Sequence, residues 1–319
     1  MTSGFGFYAT TLLVYAGVSI IACWGLDLQY GSTGIPNFAF IIFQAIGAYV
    51  AALVTLGSPH QSGIISYQRY LFGAQLPYPM PLLIATFAGA VLSVPVGQIL
   101  LKRLREDYLA IAMLVVSLIA TIVAEADVGL VNGTIGVFNV PEPFANTTPT
   151  TQGWLYVGVV AVCVVVCAAV IRRVVRSPLD RVLRSIRENE VAAASLGKNV
   201  KAAKLATFVA GNALAAFSGA LLIEFIGAWA PSGWDYAETF VYFSAIIIGG
   251  RGRRGGVALG AVLVGVVISE SVRYLPAFGS PSLIGAVQFM AIGALIIAFL
   301  WLRPQGILPE RKRVFNVPK

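Results

Sequence analysis

Charge is what this chain of 319 residues has least of. Asp, Glu, Lys and Arg together make 11% of it, against 58% hydrophobic residues. Globular domains carry about 25% charged residues, and a water-soluble fold of this length cannot cover its surface with so few. Disorder is excluded by the same composition, because it needs low hydrophobicity and high charge. Three cysteines are too few for a disulfide framework, and a single histidine, His60, excludes a histidine-based metal cluster. The chain also lacks any long polar linker and any visible internal repeat, so residues 1–319 form one domain. No Gly-x-x-x-x-Gly-Lys-Ser/Thr sequence occurs, which excludes ATP binding through a P-loop. The run Gly249–Gly256 has neither that spacing nor that ending, and its glycines suit a tight turn instead.

What is present is apolar sequence in runs of spanning length, about 20 residues for a hydrocarbon core of about 30 Å. The clearest are Pro81–Leu101, Tyr108–Ala124, Gly153–Ile171, Leu205–Ile223 and Leu283–Leu302, preceded by Phe5–Leu26 and Phe38–Leu56. Two shorter, glycine-flanked runs lie near Thr239–Gly250 and Gly255–Ser269. The net charge of +8 is concentrated between these runs. Of 22 Lys and Arg residues, 20 fall in four places: Lys102 to Arg105, Arg172 to Lys204, Arg251 to Arg254, and Arg303 to the C-terminus. Basic residues beside spanning helices are retained on the cytoplasmic side. The expected fold is therefore an all-α integral membrane protein, a polytopic bundle of about nine spans, with its N-terminus outside and its C-terminus cytoplasmic. Treating the short pair as a re-entrant hairpin gives seven spans, but carries Arg251–Arg254 into the membrane at about 2.5–3.5 kcal/mol per residue. A nucleic-acid partner would require one continuous basic face with interleaved aromatics, and the charges are not arranged that way.

Ile20-Ile21-Ala22-Cys23 loosely matches a lipoprotein cleavage box, but a signal peptide needs a positively charged start, and the first basic residue is Arg69. The outer segments in this topology are 58–80, 127–152 and Trp229–Glu238. They are either plain connectors or a docking rim for an extracytoplasmic partner. His60, in the first of them, has no ligand cluster beside it. Cys163 and Cys167 share one face of an apolar helix, where thiols act as small core residues.

The cytoplasmic loop 172–204 carries the densest signals. Ser177-Pro178 places an N-cap serine before proline at the first helical position, with Asp180 three residues after the cap. Leu179, Val182, Leu183 and Ile186 recur at i, i+3, i+4 and i+7 and form one apolar stripe. Arg181, Arg184, Arg187 and Glu188 take the opposite face. A second start follows at Asn189, and a short alanine-rich helix ends at Gly197, a natural position for left-handed backbone. This pair of helices either lies on anionic lipid or pushes its apolar ridge into a groove on another protein.

Polar groups within the spans are costly in lipid and normally face a partner or a watered path. Asn37 and Gln44 lie seven apart, nearly on one helical face, in a stretch interrupted by Gly34 and Pro36. Broken helices are tolerated where the freed backbone meets protein or a cavity. Asn37, Phe38 and Gln44 therefore either border a substrate path or bond neighbouring helices. Glu270 either lines the same path or pairs with Arg273. Glu125 and Glu224 fall near outer ends, at the interface. Gly211, Ala215 and Gly219, and then Gly256 and Gly260, recur at spacing four and permit close helix packing, within the chain or against a second subunit.

Taken together, these motifs resemble the LivM/LivH-type permeases of branched-chain amino-acid ABC importers, and the LivM kind more closely. Tyr30-Gly31 through Pro36-Asn37-Phe38-Ala39 to Ile46-Gly47-Ala48-Tyr49 is similar to the family's broken-helix signature. Leu104 through Ile111 resembles the LivM-side LRGDYLAI stretch. The loop from Ser177 to Gly197, the Ile248-Gly249-Gly250 turn and the closing Arg303-Pro304-Gln305-Gly306 also fit. Ala192, Ala193 and Gly197 match the AA-x-x-x-G core of the "EAA" motif, with Glu190 one residue before the motif's glutamate position and Val191 in it. Where the LivH signature has His-Gly after Asn-Phe-Ala, this chain has Phe40-Ile41.

The resemblance implies a non-catalytic subunit in a prokaryotic inner membrane, paired with a second, LivH-type permease. It further implies two ATPase subunits below, which bind the ATP and Mg²⁺, and an extracytoplasmic solute-binding protein above. No cofactor is expected in this chain. In that scheme Arg181, Arg184, Arg187, Glu188, Glu190, Ala192, Ala193 and Gly197 couple to the ATPase. The cargo is a branched-chain or other amino acid, urea or a short amide. The rival functions are an ion-coupled secondary transporter, which needs an intramembrane carboxylate such as Glu270, and a non-transporting scaffold.

Overall fold

The computed structural model describes residues 2–57, 68–104, 106–145, 147–268, 281–303 and 305–309. Among these the secondary structure is helical, with two isolated β-bridges, Tyr70 to Val131 and Val137 to Trp229. The helices are α1 (Thr2–Thr33), α2 (Phe40–Thr55), α3 (Met80–Arg103), α4 (Glu106–Ala126), the one-turn α5 (Val128–Val131), α6 (Pro149–Arg176), α7 (Pro178–Glu188), α8 (Glu190–Ser195), α9 (Val200–Ile226), α10 (Tyr236–Gly249), α11 (Arg254–Val262) and α12 (Pro281–Leu302). A π turn, Leu263–Ile268, continues α11.

Among the described residues, five helices are long and apolar enough to cross a membrane: Gly6–Thr33, Met80–Lys102, Tyr108–Ala126, Pro149–Arg176 and Val200–Ile226. Their burial sorts them into layers. The apolar stretch of α9 is 67% buried and that of α1 is 56% buried, whereas those of α4 and α6 are each 22% buried. Helices α1 and α9 thus form the centre with α2, and α4 and α6 present apolar side chains such as Ile119, Ile122, Val162 and Val165 outward. A face of that kind is stable only against lipid or another apolar subunit.

Small residues set the central packing. A Cβ on Gly219 would fall 1.9 Å from the Gln44 carbonyl, and one on Gly47 would fall 2.0 Å from the Ala216 carbonyl. The Gly211–Gly219 stripe is consumed by α1 and α2 of the same chain, which brings the backbones into the close contact that small residues permit. Gly256 and Gly260 similarly seat α11 on α10, against the Gly249 and Ala245 carbonyls.

The break between α1 and α2 differs from the sequence expectation in two ways. Helix α1 runs to Thr33, seven residues beyond Leu26, because Asp27 and Gln29 find buried partners. Asp27 accepts from the Gly252 amide at 2.8 Å, and Gln29 bonds α9. Asn37 is not on a helical face with Gln44. Gly34 adopts φ +77°, and residues 34–39 are non-helical, so α2 starts only at Phe40. Pro36 lacks the amide a continuing helix would need.

The two ends of the bundle differ. Helices α1 and α6 run parallel, with Gly6 beside Thr150 and Gly17 beside Val160, and both end near the basic loop. At that end α7 and α8, the Gly250–Arg253 turn and residues 305–309 meet. The Ile307 and Leu308 amides donate to the Ile248 and Gly249 carbonyls at 2.8 and 3.2 Å. The opposite end is made of loops. Val137 and Trp229 exchange backbone bonds of 2.9 and 2.7 Å, and Gln68 bonds both backbone groups of Phe138. Asp127 caps α5 through the Gly129 and Leu130 amides.

Candidate functional site: a loop-covered cavity and a basic helical hairpin

Between the central helices lies a buried polar knot, in which Asn212 Nδ2 alone is left without a partner. The Gln29 carboxamide donates to the Phe208 carbonyl and to Asn212 Oδ1, each at 2.9 Å. Asn37 Nδ2 donates to Gln29 Oε1 at 2.8 Å and to Asn212 Oδ1 at 3.0 Å, and Asn37 Oδ1 accepts from the Ala39 amide at 3.1 Å. All three side chains are fully buried. Asn37 thereby fixes the start of α2 against α1 and α9, and its polar atoms are occupied by protein. Phe38 packs tilted on Phe240 and Phe243, with ring centroids 5.2 and 4.7 Å away. Neither residue is among those lining the cavity described next.

That cavity, of about 520 Å³, lies under the loop 228–233 between α1, α2, α9, α10 and the π turn. Its size falls in the ~300–1,000 Å³ range of small-molecule sites. Val18, Ile41, Leu222, Ile226, Val241 and Val266 give it an aliphatic lining, and Gln44, Trp229, Glu238 and Tyr242 contribute polar groups. The Tyr242 hydroxyl donates to Gln44 Oε1 at 2.8 Å. The Gln44 Nε2 and Trp229 Nε1 groups are buried and have no hydrogen-bond partner. Of the sequence-selected path residues, Gln44 alone of the described ones reaches this cavity. Glu270 and Arg273 lie outside the described residues, as does His60.

A second cavity, of about 410 Å³, is lined by Gln75, Tyr78, Glu142 and Glu224. Glu224 lies near the outer end of α9 as the sequence suggested, but its side chain turns inward, 1% exposed, instead of toward the interface. Burial, followed by the Glu224 and Cys163 charges, raises the pKa of the loop phenol Tyr78.

At the basic end the structure builds the hairpin from its caps. Ser177 precedes Pro178 at the N-terminus of α7, but its hydroxyl donates back to the Val174 carbonyl and does not cap the helix. Asp180 pairs with Arg184 at 2.8 Å in place of the free amides. Asn189 caps α8 through the Ala192 amide at 2.9 Å, and Gly197 follows with φ +75°. The apolar ridge faces the other way from the docking arrangement considered for it. Leu183 and Ile186 are buried, and Ile186 joins Ala193 and Val200 in a small core. The exposed apolar side chains of the hairpin are instead Val191 and Leu196, with Leu179 half exposed.

The charged residues divide into two groups. Arg187 donates to the Gly31 carbonyl, and Glu190 pairs with Lys204 at 2.5 Å, so both are held by their own chain. Arg181, Glu188, Ala192 and Gly197 lie on the exposed surface, whereas Ala193 is buried. A Cβ on Gly197 would meet nothing within 4 Å. The α8 surface is therefore open for contact.

The sequence pattern of the branched-chain amino acid transport system / permease component family matches residues 8–300. The chain belongs to this permease family. It is 25% identical to a probable branched-chain amino acid transport permease protein LivM of Methanocaldococcus jannaschii, over 94% of this chain and 93% of that one. It is 30% identical to the high-affinity LivM permease protein of Escherichia coli, over 94% of this chain and 69% of the relative. A probable LivH permease of M. jannaschii is 26% identical over 92% of this chain and 90% of its own length. No solved structure matches the permease. The Escherichia coli LivH protein matches only 43% of it, so the LivM side of the family is the nearer one.

Proposed function

We infer that this permease is the LivM-type half of the membrane pore of an ABC importer for amino acids, branched-chain or related small polar solutes. The observation that carries this reading is the family match over residues 8–300, joined to a cytoplasmic-type hairpin whose α8 surface is exposed and apolar. In this reading the chain crosses the membrane nine times, with its N-terminus outside. The parallel course of α1 and α6 favours it, as does the meeting of α7–α8, the Arg251 turn and residues 305–309 at one end. A LivH-type permease completes the pore, an extracytoplasmic solute-binding protein docks on the loop end, and two ATPase subunits bind ATP and Mg²⁺ beneath α8. The chain itself catalyses nothing. It receives motion.

Val191 and Leu196 form the seat of the ATPase contact, with Ala192 and Gly197 giving close approach and Arg181 and Glu188 setting register. Arg187, Glu190 and Ala193 act behind that surface by fixing the hairpin to the bundle, and Arg184 braces α7 through Asp180. The cargo moves past Gln44 through the cavity beneath the 228–233 loop. The family match does not favour the ion-coupled rival.

Gly197 supplies the test. Its environment within the chain is open, so a larger residue meets only the backbone penalty of left-handed geometry, about 1–2 kcal/mol. Gly197→Asn, which tolerates that geometry, should retain most uptake. Gly197→Glu should abolish ATP-driven uptake and co-purification with the ATPase while membrane abundance stays normal. Uptake by Gly197→Glu at the wild-type rate would remove the coupling assignment.

A further inference from the structure

Charged groups in a spanning helix are rare, and where they occur they meet a partner or serve a function. Helix α1 carries one, Asp27, 6% exposed near its inner end. Its Oδ1 accepts from the Gly252 amide at 2.8 Å, in the turn between α10 and α11. The same face of α1 holds that turn at two further points. About one helical turn earlier, the Trp24 indole donates to the Arg254 carbonyl at 3.1 Å. About one turn later, the Tyr30 ring lies under the Arg251 guanidinium, with 5.5 Å between them.

Helix α7 arrives at the same place. Arg187 donates to the Gly31 carbonyl, and Asp27 folds over that glycine: a Cβ on Gly31 would fall 2.1 Å from Asp27 Oδ1 and 3.0 Å from the Gly252 nitrogen. Arg184, one turn before Arg187, pairs with Oδ2 of Asp180, a second carboxylate only 6% exposed, whose Oδ1 is buried with no hydrogen-bond partner. The half-buried Arg254, at the start of α11, is attracted by both Asp27 and Asp180 and repelled by Arg184. Two carboxylates and two guanidinium groups from α1, α7 and α11 thus share one site with their charges balanced. Removing one member of such a buried set leaves the others uncompensated.

We propose that Asp27 is a positioning residue for transport, the joint through which the ATPase-driven hairpin carries the α10–α11 turn with it. This role rests on the importer reading and deepens it. Helices α10 and α11, with the π turn, wall the cavity beneath the 228–233 loop through Val241, Tyr242, Gly265 and Val266. A hairpin displacement that reached α1 alone would slide α1 past this wall. With Asp27 and Arg254 paired across the turn, hairpin, α1 and wall move as one body.

The experiment uses the assembled complex, with its ATPases and partner permease, in nanodiscs and in a background with Cys23, Cys163 and Cys167 replaced. Nitroxides on Lys198→Cys, exposed just after α8, and on Gly255→Cys, exposed at the start of α11, give the hairpin-to-turn distance by double electron–electron resonance. A second pair, Gly255→Cys with Gly233→Cys, gives the distance from the turn to the outer loop. On trapping with ATP and vanadate, the first distance is expected to hold and the second to shift. Asp27→Asn keeps an acceptor for the Gly252 amide and removes the charge. In that variant the first distance should shift on trapping. Solute moved per ATP hydrolysed should fall by at least about tenfold, the size of one charge-assisted hydrogen bond. Arg254→Gln should do the same, and the double variant no worse than either alone, because the two residues act as a pair.

A first distance that shifts in the complex with Asp27 intact would overturn the proposal, as would a second distance that does not. So would a wild-type ratio of solute to ATP in Asp27→Asn, or equal falls in uptake and hydrolysis, which mark a purely structural residue. Losses that sum in the double variant would break the pairing. If Asp27→Asn does not assemble, Arg254→Gln decides by the same ratio. Stimulation of ATP hydrolysis by the solute-binding protein, measured with Asp27 intact, tests the importer reading separately. If it is present while hairpin and turn part, the joint alone is wrong. If it is missing while the two keep their distance, the importer reading is at fault.

Discussion

Glu224 is buried, and neither of its oxygens has a hydrogen-bond partner. It is the kind of group an ion-coupled transporter would use, because a carboxylate taken out of water without compensation responds strongly to a cation or a proton. In an ATP-driven importer no such relay is needed, and the residue only shapes the second cavity with Tyr78 and Glu142. Glu224→Gln preserves the shape and removes the ionisable group. Uptake driven by ATP in proteoliposomes should therefore keep most of its rate, and thermal stability in detergent should hold or rise. Loss of uptake in that variant, with ATP hydrolysis intact, would revive ion coupling. Asn37 makes the converse point. An intramembrane amide is as consistent with a path as with a helix contact, and only its bonds to Gln29 and Asn212 decide which.

At the scale of elements, α7 is fastened to the break between α1 and α2. Arg187 donates to the Gly31 carbonyl, and its side chain lies against Gly34, where a Cβ would fall 3.3 Å from Arg187 Cγ. A displacement of the hairpin is thus delivered to the segment that positions Asn37 and α2, whose Gln44 lines the cavity. Arg187→Ala removes one charge-assisted bond, and the solute moved per ATP hydrolysed should fall on the order of tenfold while hydrolysis continues. A paired loss of both rates would show that Arg187 serves assembly only. The start at Pro178 was legible from proline at the first helical position, although Ser177 does not cap it, and the start after Asn189 and the left-handed Gly197 were legible because capping is local chemistry. The direction of the apolar ridge was not. Leu183 and Ile186 have the same i, i+3 spacing whether they face a partner or their own bundle. Glu238 and Tyr242 escaped notice for a similar reason: a carboxylate in a first turn is an ordinary helix start, and its cavity is assembled from residues more than 200 positions apart, from Val18 to Val266.

For the whole molecule the deciding question is how α10 and α11 sit in the bilayer. Helix α10 has 14 residues and α11 with its π turn has 15, which at 1.5 Å per residue gives about 21–23 Å, short of a ~30 Å hydrocarbon core. Length alone therefore allows a re-entrant hairpin entering from outside. The turn between them argues otherwise. Gly252 donates to Asp27, the Arg251 guanidinium lies 5.5 Å over the Tyr30 ring, and Arg253 donates to the Pro309 carbonyl at 3.2 Å. These partners belong to the end of α1 and to the segment after α12, where the basic hairpin also sits. A re-entrant turn would bring all of them into the membrane together. Single thiols in a background with Cys23, Cys163 and Cys167 replaced can separate the two arrangements in intact cells. Gly233→Cys, in the exposed loop where a Cβ meets nothing within 4 Å, should react with an impermeant maleimide from outside. Arg251→Cys and Lys198→Cys, both exposed, should react only after the membrane is permeabilised. If Arg251→Cys reacts from outside, or stays unreactive in permeabilised cells while Lys198→Cys is modified, the nine-span arrangement fails and α10–α11 is a re-entrant hairpin.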